Sequence, residues 1–305
     1  MTRIPNYVDG RLVLGDCLVH AASLGKSRGP FDLIYVDPPF NTGIVHSARD
    51  TSGLRSQGRA AYKDAWGGLE GFCSMLEPRL RAWHGLLSET GCLWLHLDFR
   101  AVHDTKVLAD RIFGTTNFRG EVIWVPGNGA RRKNGPSVTH QTILIYSRSN
   151  KFTYNSDDPL AREPYADTSR AMHFRHLDST GRRYRERVIG KKKYRYYEDD
   201  GRRLGSVWLD CPAMLANTPF LNETSGYPTQ KPLKLLERIV RLASNPGDKL
   251  LDPMCGSGTT LVAARKLGRS WVGVDKSPVA IDVVKRRLAA TPLTQDIPES
   301  STCGD

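Results

Sequence analysis

No stretch of this chain is apolar for the length a bilayer span requires. The opening Met1-Thr2-Arg3-Ile4-Pro5-Asn6 lacks the apolar core of a secretory signal. Both observations argue against membrane insertion and export, and a cytoplasmic location is expected. The six cysteines, Cys17, Cys73, Cys92, Cys211, Cys255 and Cys303, never fall as C-x-x-C, and the eight histidines show no H-E-x-x-H. A zinc site and a thiol redox pair therefore have no motif behind them, and no metal is expected. No internal repeat is visible, which removes solenoid architectures. The one glycine-rich loop lacks both the third glycine of the dinucleotide fingerprint and the G-K-[ST] of a P-loop.

What is present suits one large catalytic domain with a modest insertion. The chain has 305 residues, 39% of them apolar, enough to bury a core. Its formal net charge of +12 favours polyanionic partners, of which nucleic acid is the commonest.

Short apolar runs read as buried strands at 12–14, 31–36, 91–97, 121–125, 142–146, 249–251 and 271–274. Helical spacing lies between them, at 69–87 (with Pro78 inside), 102–113, 233–243, 259–267 and 279–288. Strands alternating with helices predict an α/β fold around a mostly parallel sheet. Four strands run out at an aspartate: Asp16, Asp37, Asp252 and Asp275. Ligands of open α/β sheets bind beyond the carboxyl ends of strands, so four such aspartates suggest a lined crevice. Residues 151–225 read differently, as an inserted region. They are polar and poorly periodic, with Arg182, Arg183, Arg185, Lys191, Lys192, Lys193 and Arg195 among interleaved tyrosines. The remaining divisions are 1–150, 226–290 and an unstructured tail at 291–305.

Three motifs carry chemistry. Asp37-Pro38-Pro39-Phe40 closes a strand. Its prolines donate no N–H and hold their carbonyls rigidly, Asp37 accepts through its carboxylate, and Phe40 offers a flat face. Such a set can hold an amino group on an aromatic ring, or it can be only a tight turn. Asp252-Pro253-Met254-Cys255-Gly256-Ser257-Gly258-Thr259 runs from a strand through glycines into a helix, as nucleotide-binding loops do. Asp275, at the next strand end, is placed to take the two hydroxyls of a ribose, and NAD binding is the competing reading. Tyr227-Pro228-Thr229-Gln230-Lys231-Pro232 precedes a helix and is either a polar contact segment or a helix cap.

Together these residues resemble the permuted, or beta, group of DNA amino-methyltransferases, over about residues 12 to 290. The catalytic motif comes first, the insertion next and the cofactor motif last. The resemblance implies a Rossmann-like methyltransferase fold: a mixed, mostly parallel sheet with helices on both faces and an inserted target-recognition region. It implies S-adenosylmethionine as cofactor. Asp275 would bind the ribose and Asp16 the adenine amine. Asp252, Pro253, Cys255, Gly256, Ser257, Gly258 and Thr259 would form the cofactor loop, with Thr229 and Lys231 close by. Double-stranded DNA is the implied substrate, contacted through the basic stretch. The group also includes members with a cognate restriction endonuclease and members that dimerise.

Two departures stand out. Phe40 replaces a more frequent tyrosine, keeping the stacking surface, and Met254 replaces a more frequent aromatic residue. An aspartate at the first catalytic position favours adenine N6 in this group, whereas serine is commoner for cytosine N4. Adenine N6 is thus the expected target, reached by base flipping and direct transfer. Cytosine N4 methylation and a non-catalytic nucleic-acid-binding module are the alternatives.

Overall fold

A computed structural model describes residues 8–39, 44–48, 59–127, 129, 132–214 and 223–291. Phe40 and residues 292–305 of the expected tail lie outside them. The chain divides into two units, one built from residues up to 154 and from 206 onward, the other from 155–205.

In the first unit, β1 (Gly10–Leu14) leads into α1 (Cys17–Ser27), and β2 (Phe31–Val36) follows. Asp16 sits between β1 and α1 as the helix cap, its carboxylate accepting from the Leu18 N–H at 2.8 Å. A hairpin of β3 (Ile44–Ala48) and β4 (Arg59–Asp64) comes next. Then come α2 (Leu69–Leu86), β5 (Leu87–Leu97), α3 (Val102–Phe113), β6 (Phe118–Trp124) and β7 (Gln141–Ser147). Helix α2 passes straight through Pro78. An interior proline costs about 3 kcal/mol, but Phe72, Leu76, Leu80 and Trp83 are all buried on one stripe. At about 1.5–3 kcal/mol each, that burial outweighs the proline.

The second unit contains β8 (Arg162–Glu163), α4 (Asp167–His173), β9 (His176–Leu177), β10 (Arg183–Ile189), β11 (Lys192–Tyr197) and β12 (Arg202–Arg203). It is narrower than the 151–225 stretch marked out by composition. The reason lies in β13 (Val207–Trp208), which pairs in parallel with β6 and so joins the sheet of the first unit. That unit closes with α5 (Leu233–Ala243), β14 (Lys249–Asp252), α6 (Thr259–Lys266), β15 (Ser270–Asp275) and α7 (Pro278–Ala289).

The main sheet runs β1-β15-β14-β2-β5-β7-β6-β13. Its first five strands are mutually parallel, and β7 is antiparallel to both β5 and β6. Strand alternation sends Leu93, Leu95 and Leu97 of β5 into the core that holds the α2 stripe. Cys92 faces the other way, where its thiol approaches the Ala243 carbonyl at the end of α5. Helices thus cover both faces. Because β1, β15, β14 and β2 are neighbours running the same way, Asp16, Asp275, Asp252 and Asp37 gather along one edge.

Candidate active site

A cavity of about 520 Å³ opens at that edge. Among the residues singled out from sequence, Asp37, Pro38, Pro39, Asp16, Thr229, Lys231, Asp252, Pro253, Cys255, Gly256, Ser257, Thr259 and Asp275 line it. Gly258 stands behind the wall. It takes a left-handed conformation (φ 73°), and a Cβ there would lie 2.6 Å from Val284 Cγ2. Only glycine allows the loop to turn into α6 so close to α7.

Asp37 is held by a partner from far along the chain. Lys231 Nζ donates to its Oδ2 at 2.5 Å, and Oδ1 is buried with no hydrogen-bond partner among the described residues. Burial pushes this carboxyl above the usual carboxylate range, Lys231 opposes the rise, and Asp64 and Asp98 add to it. Behind it, the buried His96 bridges Gln141 Oε1 (2.6 Å) and the Tyr35 hydroxyl (2.9 Å). Burial, and then Lys231, push His96 well below the usual histidine range. The imidazole is therefore neutral. Its Nε2–H donates to Gln141 and its Nδ1 accepts from Tyr35.

The other aspartates are engaged differently. Asp275 accepts from the Gly256 N–H through Oδ2 and the Ser277 N–H through Oδ1, each at 2.8 Å. The Lys276 N–H also acts on this carboxylate, which keeps acceptor capacity for a hydroxyl group. Asp252 is buried beneath the loop, accepting from the Met254 N–H at 3.2 Å. Burial raises it to about 7, against Thr260 and the Met254 N–H, with Asp37 and Asp275 adding to the rise. Asp16 accepts from Arg79 and Lys276, each at 2.7 Å, besides its helix N–H. Burial raises Asp16, but Lys276, the Leu18 N–H and Arg79 outweigh it and leave the carboxyl low. Burial also pushes the Cys255 thiol well above its usual range, so it is protonated and no nucleophile.

Residues 31–286 match the N6_N4_Mtase family, described as DNA methylase. The chain belongs to this family. Its cofactor is S-adenosylmethionine. The type II methyltransferase M.EcaI of Enterobacter cloacae is 27% identical over 299 residues, covering 84% of this chain and 64% of its own length. M1.MboII of Moraxella bovis is 34% identical over 166 residues, covering 52% of this chain and 57% of its own. The chain thus spans less than two thirds of either relative's length. The M1.HpyAVI complex with S-adenosylmethionine superposes with a TM-score of 0.55 at 18% identity, over 92% of this chain and 98% of that one. The cytosine-N4-specific PvuII DNA methyltransferase gives 0.55 at 16% identity, over 94% and 89%. These likenesses identify the sheet as a Rossmann-like methyltransferase fold.

The residues that line the cavity suit this cofactor. Asp275, Cys255 and Gly256 all line the cavity, the carboxylate as an acceptor toward a ribose hydroxyl. A Cβ on Gly256 would lie 3.3 Å from the Tyr227 ring, in the space the glycine leaves open. Sequence reading missed Tyr35, Asp64, Arg79 and Lys276, all of which line the cavity, as does Tyr227 of the third motif. Thr229 carried one unread signal. It has φ 57°, a left-handed conformation uncommon for a β-branched residue and of the kind that gathers at functional sites.

The basic residues of the second unit separate into groups. Arg182 is tied to Asp199 and Asp200 at 2.7 Å each, and Lys193 and Arg195 pair with Glu186. Arg185 lies over the rings of Tyr165, Phe174 and Tyr196, at 5.2 to 5.6 Å. Arg183 reaches Glu198 only at 4.0 Å, and Lys191 and Lys192 are exposed at and beside the β10–β11 turn.

Proposed function

We propose that this methylase transfers a methyl group from S-adenosylmethionine to the N6 amine of adenine in duplex DNA. The observation that carries the reading is Asp37. One carboxylate oxygen is pinned by Lys231. The other is buried, unpartnered among the described residues and beside Pro38 and Pro39 in the cavity wall. A buried acceptor without a partner costs about 1–3 kcal/mol, and an incoming –NH2 would satisfy it.

In this reading the amine donates to Asp37 Oδ1 and to the Pro38 carbonyl. These two acceptors draw the nitrogen toward a tetrahedral shape and free its lone pair from the ring. That pair forms the new N–C bond, and the electrons of the broken C–S bond remain on sulfur. The nitrogen then sheds a proton, which Asp37 can take because burial raises its proton affinity. Lys231 holds the carboxylate ionised and oriented beforehand. Asp275 holds the ribose hydroxyls, Asp16 the adenine amine, and the Asp252–Thr259 loop the methionine part. Most of the rate enhancement is positioning. A paired base hides its amine, so the target must leave the stack. Stacking on Phe40 would return about 1–3 kcal/mol of that cost. The aspartate at position 37 supports adenine over cytosine N4. The likeness in fold to a cytosine-N4-specific enzyme keeps that second base in the test.

The test is to incubate the protein with methyl-labelled S-adenosylmethionine and unmodified bacterial DNA, then identify the labelled nucleoside by mass spectrometry. N6-methyladenine is expected. N4-methylcytosine would change the base and keep the chemistry, and no labelled nucleoside despite cofactor binding would overturn the reading.

A further inference from the structure

Strands β10 and β11 pair antiparallel from Tyr184↔Tyr197 to Ile189↔Lys192. They close through Gly190-Lys191, with Gly190 at φ 62° as a two-residue hairpin turn requires. Side chains alternate across such a ribbon, so its charge divides between two faces. On one face Glu186 is held between Lys193 and Arg195, and Arg195 also lies 4.1 Å over the Tyr184 ring. The cations there are already engaged. The other face begins at Arg185, which is occupied by its three rings. Beyond it Arg187 stands opposite Tyr194, and Ile189 opposite Lys192. All four are exposed, Ile189 to 56% and Tyr194 to 42%. The register places no carboxylate among these four residues.

We propose that Arg187, Ile189, Lys192 and Tyr194, with Lys191 at the turn, form the surface of the β10–β11 ribbon that enters the major groove of duplex DNA. The inference rests on the DNA reading above and assigns the interaction to one face of one hairpin. Three cations on a stretch of ribbon that carries no carboxylate match the phosphates on either side of a groove. A two-stranded ribbon fits the major groove of B-DNA, about 12 Å wide. The exposed isoleucine and tyrosine supply an apolar surface of the kind that meets base edges and thymine methyls. Duplex RNA is disfavoured, because its deep, narrow major groove does not admit such an element. Arg182, Arg185, Lys193 and Arg195 then serve mainly to build the hairpin.

Two neighbouring substitutions separate the faces at equal charge. Ile189→Glu places a carboxylate on the proposed surface, and Val188→Glu places one on the opposite face. Both positions are exposed, Val188 to 70%, so neither opens a core. The full-length protein is titrated with fluorescent mixed-sequence duplex DNA at several salt concentrations, and calorimetry with S-adenosylmethionine checks that each variant is intact. Ile189→Glu should weaken DNA binding at least about tenfold, and Val188→Glu no more than about threefold. Arg187→Ala with Lys192→Ala should lower the log–log salt slope by about one to two, one for each phosphate no longer neutralised. Equal effects of the two glutamates, an unchanged slope, or tighter binding to duplex RNA would overturn the assignment while wild-type methyl transfer to DNA stands. A wild-type protein that binds no duplex DNA at any salt would overturn the DNA reading itself.

Discussion

Lys231 and Asp37 are 194 positions apart in the chain, yet the ammonium donates to Oδ2 of the carboxylate at 2.5 Å. Oδ1 of the same group is buried without a partner among the described residues. One oxygen of this carboxylate is thus fixed by the ammonium and the other lacks a partner among the described residues, in a residue that lines the same cavity as the glycine loop.

Asp37→Ala should lower methyl transfer at least about a thousandfold, since it removes an acceptor aimed at the reacting amine. Calorimetry should find S-adenosylmethionine affinity within about threefold of wild type. Undiminished turnover would remove Asp37 from the chemistry.

Lys231→Met should cost about tenfold or more in turnover at pH 7, and less at pH 9. Without the ammonium, burial and the nearby carboxylates act on Asp37 unopposed, so its proton affinity rises further. In the proposed reaction Asp37 accepts from the amine as the carboxylate, so activity should be present above its pKa and lost as pH falls through it. The acid limb of the kcat profile should therefore move to higher pH. A loss of equal size at every pH would mean that Lys231 does not act through Asp37.

Asp275→Ala should weaken S-adenosylmethionine binding by about 10- to 100-fold in calorimetry, the scale of hydrogen bonds to a charged group. It also releases the Gly256 N–H, so the loop loses its anchor at the same time. An unchanged affinity would show that neither interaction matters.

Asp252 should make cofactor binding depend on pH. Its folded value of about 7 lies above its ordinary 3.8. It therefore favours the fold most at low pH, and that contribution is lost as pH rises toward 7. A bound sulfonium cation favours the ionised form, so affinity for S-adenosylmethionine should tighten from pH 6 to pH 8. Asp252→Asn should flatten that dependence. Without ligand it should raise the melting temperature relative to wild type by a few degrees at pH 8, and by less at pH 5.5. A wild-type affinity indifferent to pH across this range would contradict the assignment.

The strands were legible where they are buried on both faces. Phe31–Val36 and Gly91–Leu97 are apolar runs because both of their faces lie inside the protein. The strand-end aspartates were legible because a carboxylate at the end of such a run is out of place unless it binds something. The β10–β11 hairpin was not legible, because its largely exposed strands lack an apolar rhythm. The sequence also left open which residues pair with the aspartates. Arg79, on a helix stripe otherwise apolar, reaches Asp16 from 63 positions away. In the second unit the composition was legible but the partition was not. A run of arginines looks uniform in sequence, and only strand register shows which of them already face a glutamate.

The neighbours of β2 have a consequence for how the chain is made. One edge of β2 pairs with β5, which follows within about sixty residues, and the other pairs with β14, more than two hundred residues later. During synthesis, the strand that leads into Asp37 therefore waits with one edge of backbone N–H and C=O groups unpaired until the last quarter of the chain emerges. Such an edge is a template for intermolecular pairing. Yield in a cell should then depend less on the final stability of the fold than on how well that waiting strand is shielded, by slow translation, low temperature or a chaperone.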